Sequence, residues 1–517
     1  MRRLVLLLIV CITTSVFSAG QTVTTLVNFN QTNGMYPVSA LIQASDGNLY
    51  GTTEDGGNGG DGTVFKVTSQ GVLTTLHVFC MQQDCADGQR PRGGLVQATD
   101  GNFYGTTSQA GGTFKFGTVF RITPQGVLTT LHSFDSMEGM SPNAPLVQGT
   151  DGNFYGTAYE GGAWGDGTVF KMTPSGELTT LHSFYVITEG GYPRAGLIQA
   201  SDGNFYGTTS YGENYGRGAV FKITPQGTVI IMHNFEVSEG AGPLAPLIHA
   251  ADGNFYSTTS AGGANNSGTV FRMSPDGTLT TIYSFCSLLY CADGEEPGAG
   301  LVQATDGNFY GTTPTSPMTT GTIFKITPEG SLTLLHGFKW QDGSEPEAGL
   351  VQASDGDFYG TTVYGGPNAD GNVFRLNVFP ILSVTKAGSG TVSSTGDRHI
   401  YCGGACSYSY VDGTQVTLSA VPAPGYTFSS WSGCDNVNGS YCSVTMAGAK
   451  NITASFTSVS EITLTSLTFK PSYVRGGQLS AGTLTLSGPA PAGGLSVALS
   501  SDHPGVAHPP SFVLVPG

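Results

Sequence analysis

Histidine recurs at one position of a repeated motif: His77, His132, His182, His233 and His336, with Val27 and Tyr283 at the equivalent places. Histidine can act as a general base, a proton shuttle or a metal ligand. Valine and tyrosine could not replace it in those roles, so the five histidines read as structural. Aspartate recurs in Asp-Gly-Asn turns at Asp46, Asp100, Asp151, Asp202, Asp252, Asp306 and Asp355, where Asp357 replaces the asparagine. Calcium takes about 6–8 oxygens, and each copy supplies one dependable carboxylate. These aspartates are therefore expected to bond their own turn backbone. A cation follows a recurring phenylalanine at Lys66, Arg121, Lys171, Lys222, Arg272, Lys325 and Arg375. Pairing with a neighbouring repeat, or a solvated tip, is expected there. His249 breaks a row of glutamines (Gln43, Gln97, Gln148, Gln199, Gln303, Gln352) and is the one candidate catalytic residue. Its chemistry would want further His and Glu partners, and the repeat supplies no evident set. G-x-S-x-G, H-E-x-x-H and G-x-x-x-x-G-K-[ST] are absent from the sequence. No metal and no cofactor is expected.

These residues sit on a repeat of about fifty residues that fills 21–377 in seven copies. Each copy holds four strand-like runs, typified by Pro193 to Ala200 (strand a), Asn204 to Thr209 (b), Gly167 to Thr173 (c) and Leu128 to Phe134 (d). All are rich in β-branched and aromatic residues and bounded by Gly, Pro and Asp. Asp-Gly joins a to b as a tight turn. Thr-Pro-x-Gly usually joins c to d. Register is strict: proline to turn aspartate is always nine residues, and strand-c glycine to strand-d phenylalanine always 17. A sheet demands this, because a one-residue slip turns every side chain to the wrong face. Length varies mainly in the d-to-a link. The chain enters with a lone strand d, Thr22 to Phe29, and leaves with a strand c, Gly371 to Asn377, that lacks its own d. An open β-solenoid has no reason to split a unit this way. The expected fold is all-β: a seven-bladed β-propeller closed by its N-terminal outer strand and followed by small β modules. Strand a should line the channel, with its glutamines bonding across blades or to water.

The run LIQASDGNFYGTTSYGENYGRGAVFKITPQG (197–227) resembles the GloVer tandem repeat of secreted bacterial proteins. The resemblance implies an exported repeat protein with variable C-terminal modules, and no set activity. The D-G-N turn and T-P-x-G more distantly resemble streptogramin lyase and related seven-bladed propellers. Residues 378–457, with Phe428 and Trp431 in TFSSWSGC, resemble the divergent internalin-type B-repeat. Residues 461–517 look like the first half of a bacterial Ig-like domain, cut short at Gly517, with any anchor expected beyond. Residues 1–20 read as a signal peptide: Arg2 and Arg3, then an apolar run too short to span a bilayer, then small residues. Apart from Cys11, the cysteines fall in close pairs, Cys80/Cys85, Cys286/Cys291, Cys402/Cys406 and Cys434/Cys442. An even number in an exported chain favours disulfides.

The remaining signal is in the loops. The d-to-a links and the b-to-c loops should emerge on one face. The links are rich in acid, including Glu295, Glu296, Asp342 and Glu345, against few cations. The b-to-c loops add Trp164, Tyr211, Tyr215 and Tyr364. Acids and aromatic platforms suit a cationic partner or a sugar. The net charge of −16 argues against nucleic acid, and beyond the signal no segment is apolar enough to cross a membrane. The expected function is that of a secreted or cell-surface bacterial protein, a monomer and a non-catalytic binder or adhesin for an extracellular glycan or protein. The alternative is a propeller enzyme, a lyase or glycan-active protein, acting at the loop face or the channel.

Overall fold

The structure is a computed structural model describing residues 22–111, 114–211, 216–402, 406–411, 413–446, 449–459, 462–490 and 493–516. The expected signal peptide and Cys11 lie outside the described residues. Nearly all regular structure is strand, and three short helical turns, Gln83–Cys85, Val186–Glu189 and Leu289–Cys291, sit in d-to-a links. The chain divides into two compact units, Met1–Pro380 with Ser409–Asp412, and Ile381–Tyr408 with Gly413–Gly517.

The first unit is propeller-like, a series of four-stranded antiparallel sheets, each ordered a-b-c-d. The second copy is representative: Val96–Gln97, Phe103–Thr107, Thr118–Ile122 and Leu128–Ser133. Local chemistry sets each turn. Gly101 takes a left-handed φ of 81°, which glycine adopts without steric cost. One oxygen of Asp100 accepts the Asn102 N–H at 3.0 Å, and the other accepts the Tyr104 hydroxyl at 2.9 Å. The strand-b glycine is required by close approach. A Cβ on Gly207 would lie 2.7 Å from the Phe221 ring.

The strand-d segment that enters the chain pairs with the strand c that leaves the repeats. Thr22–Asn28 runs antiparallel to Asn372–Asn377, with Thr22 opposite Asn377 and Val23 opposite Leu376. Phe358–Thr362 and Val351–Gln352 complete that sheet.

The core lies between sheets rather than within any one of them. Tyr50, Val64 and Phe79 of the first copy are buried against Leu95, Phe103, Phe120 and Ile122 of the second. Tyr50 stacks on Phe103 with centroids 4.2 Å apart, and Phe79 meets Phe120 edge-on at 5.2 Å. The same pairings recur down the series. Val27, Phe29, Leu41 and Phe65 cluster with Ala353, Tyr359 and Val373.

Polar bonds stitch the same junctions. The Gln97 side chain accepts the Ser45 N–H at 2.8 Å, Gln148 that of Thr99 at 2.9 Å, and Gln43 that of Ser354 at 2.7 Å. These are the expected bonds between copies. The strand-c cations behave differently from expectation. Lys171 pairs with Asp151 at 2.8 Å, Lys222 with Asp202 at 2.8 Å and Lys325 with Asp306 at 3.0 Å. Each pair lies within one copy, because the a-b turn and the cation flank the same strand b. The seventh copy alters the pattern. Asp357 is buried and bonds Arg375, Asn377 and the Ser409 hydroxyl. Burial raises its carboxyl above the ordinary value despite the Arg375 charge.

In the second unit, Ile381–Ala387 pairs in parallel with Lys450–Ser458, which pairs antiparallel with Tyr426–Ser432. A further sheet holds Gly390–Ser394, Gln415–Pro422, Tyr441–Thr445 and Asn436–Asn438. Leu382, Val392, Leu418, Trp431 and Ile452 are buried. Leu464–Lys470 pairs with Ala481–Leu486, and Leu495–Ala498 with Phe512–Val515. Among the described residues no side chain after Phe456 is buried. Four disulfides join the expected partners: Cys80–Cys85, Cys286–Cys291, Cys402–Cys406 and Cys434–Cys442.

Candidate functional site

Every copy begins strand a with a proline, and the backbone before it is unusual. Tyr36, Arg90, Ser141, Tyr192, Glu296 and Glu345 have φ between 54° and 57°, and Gly242 has 61°. A non-glycine residue held there is strained, and such strain concentrates at functional sites. The surroundings fix it. The N–H of Arg90 donates to the Asp61 carbonyl at 2.9 Å, that of Tyr192 to Asp166 at 2.6 Å, and that of Tyr36 to Asp370 at 3.2 Å. Each acceptor belongs to the b-to-c loop of another copy. The link and loop of one copy also pair, as in Gln89 with Gln109 and Ser344 with Tyr364. The d-to-a links and b-to-c loops therefore share one face.

The residue after each proline turns to the middle of that face. Val38, Arg92, Asn143, Arg194, Leu244, Gly298 and Glu347, one from each copy, line a single cavity of about 530 Å³ with Glu296, Ser260 and Pro314. This position varies from copy to copy, whereas the proline before it and the leucine four residues after that proline do not. Arg92 pairs with the buried Glu54 at 2.6 Å. Arg194 lies over the Tyr159 ring at 4.9 Å. Burial, and then Glu345, raise the Glu347 carboxyl above its ordinary value, with Arg92 and Arg194 pulling against them. The Asn143 Oδ1 is buried, and among the described residues no donor reaches it.

Of the described loop residues singled out by sequence, Glu296 alone lines this cavity. Trp164 is 64% exposed, its ring 5.1 Å from Tyr185. Tyr211 is 50% exposed and meets Tyr192 edge-on at 5.5 Å, and Tyr192 in turn lies 5.4 Å from Tyr159. Tyr364 is half-buried against Tyr36 at 5.1 Å. Tyr215 lies outside the described residues. Glu296 lines the cavity, while Glu345 stands beside its proline with its backbone N–H bonded to Thr320. Glu295 accepts the Ser267 hydroxyl at 3.3 Å.

Asp342 has a structural partner. It lies 3.0 Å from the His336 ring nitrogen and accepts the Lys339 N–H. The same pairing ties His77 to Asp87, His132 to Glu138, His182 to Glu189 and His233 to Glu239. Tyr283 donates its hydroxyl to Asp293 at 2.8 Å. Six of the link acids are thus partners of strand d. His249 lies at the other end of strand a, toward the a-b turn. It is exposed, its ring stacks on Phe255 at 5.0 Å, and among the described residues no hydrogen-bond partner joins it. Asp61 lies near Cys80 and Cys85, and Glu295 near Cys286 and Cys291. These cysteines are in disulfides, which have no thiolate to offer a metal.

Sequence reasoning did not single out Asn143, Arg92, Arg194 or Glu347. The signal that could have found them is the one variable position in an otherwise repeated Pro-x-x-x-Leu.

The sequence matches the Gloeobacter/Verrucomicrobia repeat over residues 12–150, 138–315 and 198–394, and the divergent InlB B-repeat domain over 381–460. No curated protein sequence matches the chain. Among solved structures, a gluconolactonase of Xanthomonas campestris is 11% identical, covering 69% of this chain and 89% of its own, with a TM-score of 0.37. A candidate 6-phosphogluconolactonase from Bacteroides uniformis is 19% identical, covering 60% and 88%, with a TM-score of 0.42. A luciferin-regenerating enzyme is 13% identical, covering 53% and 87%, with a TM-score of 0.35.

Proposed function

The chain belongs to the Gloeobacter/Verrucomicrobia repeat family, and from that premise we propose that it is a closed seven-bladed β-propeller acting outside the cell as a non-catalytic binding protein. Closure is supported by three contacts between the first copy and the last: Gln43 with Ser354, the Tyr36 N–H with Asp370, and the Thr361 hydroxyl with the Pro37 carbonyl at 2.9 Å. The four disulfides and the B-repeat at 381–460 accord with an extracellular setting. The domain plan we propose is propeller 21–377, B-repeat 378–457 and an Ig-like module at 461–517.

The observation that carries the binding reading is the variable position after each proline. A rigid, repeated frame presents different side chains around one cavity, its b-to-c loops carry the exposed Trp164 and Tyr211, and rigid frames carrying variable groups commonly bind. The ligand class is an extracellular glycan or protein, with Trp164 and Tyr211 as platforms. The alternative is an enzyme at the loop face or the channel, with His249, whose ring stacks on Phe255, as its candidate.

A glycan and cell-wall array probed with the full chain tests the reading. Binding should fall at least tenfold in the Trp164→Ala, Tyr211→Ala double variant. Undiminished binding in that folded variant, or turnover of any arrayed ligand by the wild type, would refute it.

A further inference from the structure

We propose that the cavity at the centre of the loop face takes a small zwitterionic ligand, one carrying a carboxylate and a separate ammonium group. The inference rests on the loop face being the binding face. A volume of about 530 Å³ falls in the range of small-molecule sites, roughly 300–1,000 Å³.

The charges on the wall are divided. Arg92, Asn143 and Arg194 come from three successive copies, and Glu296 and Glu347 from the sixth and seventh. Both guanidinium groups are close enough to Glu347 to influence its titration, yet among the described residues neither forms an ion pair with it, and Arg194 has no carboxylate partner at all. Opposite charges that face one cavity without meeting leave room for a ligand that joins them.

The fit is specific on both sides. A planar guanidinium receives a carboxylate through two parallel hydrogen bonds. Arg194 is already oriented by the Tyr159 ring beneath it. Glu347 offers the ammonium a carboxylate on the same cavity wall. The buried Asn143 Oδ1 is an acceptor awaiting a donor, which an amide or hydroxyl on the ligand would supply. The strained residue before each proline keeps the wall in place, so little ordering is needed on binding.

Titration calorimetry on the full chain with triglycine, lysine and 4-aminobutyrate tests this across three charge separations. At least one should saturate the protein. Its N-acetylated and carboxy-amidated forms should bind at least tenfold more weakly. Arg194→Ala should weaken the zwitterion tenfold or more and leave the amidated form unchanged. Glu347→Gln should weaken the zwitterion and leave the acetylated form unchanged. Arg194→Lys, which keeps the charge and loses the fork, serves if the alanine variant misfolds, and should fall between wild type and the alanine variant. Saturation by none of the three, or equal binding of blocked and free forms, overturns the inference. If the glycan array still reports Trp164-dependent binding, only this inference falls. Loss of both results removes the loop-face reading as well.

Discussion

Tyr283 occupies the place that five other copies give to histidine, and its hydroxyl reaches Asp293 just as the histidine rings reach their own acids. In those six copies the position therefore holds a donor to a link carboxylate, whereas Val27 fills it in the last sheet. In His336 burial lowers the ring's affinity for a proton, and the Asp342 charge does not restore it. The unfolded chain then binds the proton more readily than the folded one. The stability His336 lends is complete above its unfolded pKa, about 6.5, and is lost as pH falls below that value. His336→Tyr should keep the acid contact and flatten the decline in melting temperature between about pH 6.5 and 5. An unchanged slope would show that the ring does not titrate into the unfolding equilibrium.

The turn aspartates carry the opposite sign. Burial opposes the charge on Asp202, but Lys222, Asn204 and the Tyr206 hydroxyl outweigh it and hold the carboxyl below its ordinary range. That contribution is present above about pH 4, the unfolded value, and is lost on further acidification. Asp202→Asn should cost less than about 1 kcal/mol at neutral pH, since the Lys222 pair is part-exposed, and should reduce the acid sensitivity seen in melts from pH 4 to 2. The turn bond itself was legible from Asp-Gly-Asn. Its third partner, the tyrosine two places beyond the asparagine, was not, because sequence spacing says which residues recur and not which atoms meet across a hairpin.

At the level of strands and turns, the nine- and 17-residue intervals made the sheets legible, since pairing tolerates no slip. The left-handed residue before each proline was not legible. Tyrosine, arginine, serine and glutamate are poor markers of positive φ, and proline normally steers its predecessor toward extended backbone. Gly242 is the copy free of that penalty. Ser141→Gly should therefore stabilise the protein by up to about 1 kcal/mol, read as a higher denaturant midpoint. A lower midpoint would mean that the serine side chain supports the turn. The candidate cavity was hidden for a related reason. Strand a shows only two residues of regular pairing per copy, as in Val96–Gln97, so the residue beside the proline looked like one more link charge.

For the molecule as a whole, burial is shared between neighbouring sheets, so no copy has a core of its own. Phe29 and Val27 contribute to the junction of the first and last copies. Removing 22–29 should lower the melting temperature of the entire first unit, while removing 462–517 should leave that transition where it is, because no described residue there is buried. Equal losses from both deletions would contradict this division, and calorimetry distinguishes the outcomes. The repeat region and the B-repeat were legible from composition and motif. The segment after 461 was less so. Its strands are present, and the apolar side chains that would define a sandwich interior, Leu479 and Val506 among them, face water.

The pairing of Thr22–Asn28 with Asn372–Asn377 also sets an order of events. The first described strand to leave the ribosome is among the last to find its partner, after a wait on the order of tens of seconds at about 5–20 residues per second. Until then its Thr- and Val-rich edge is open to any other unpaired strand, including one from a second nascent chain.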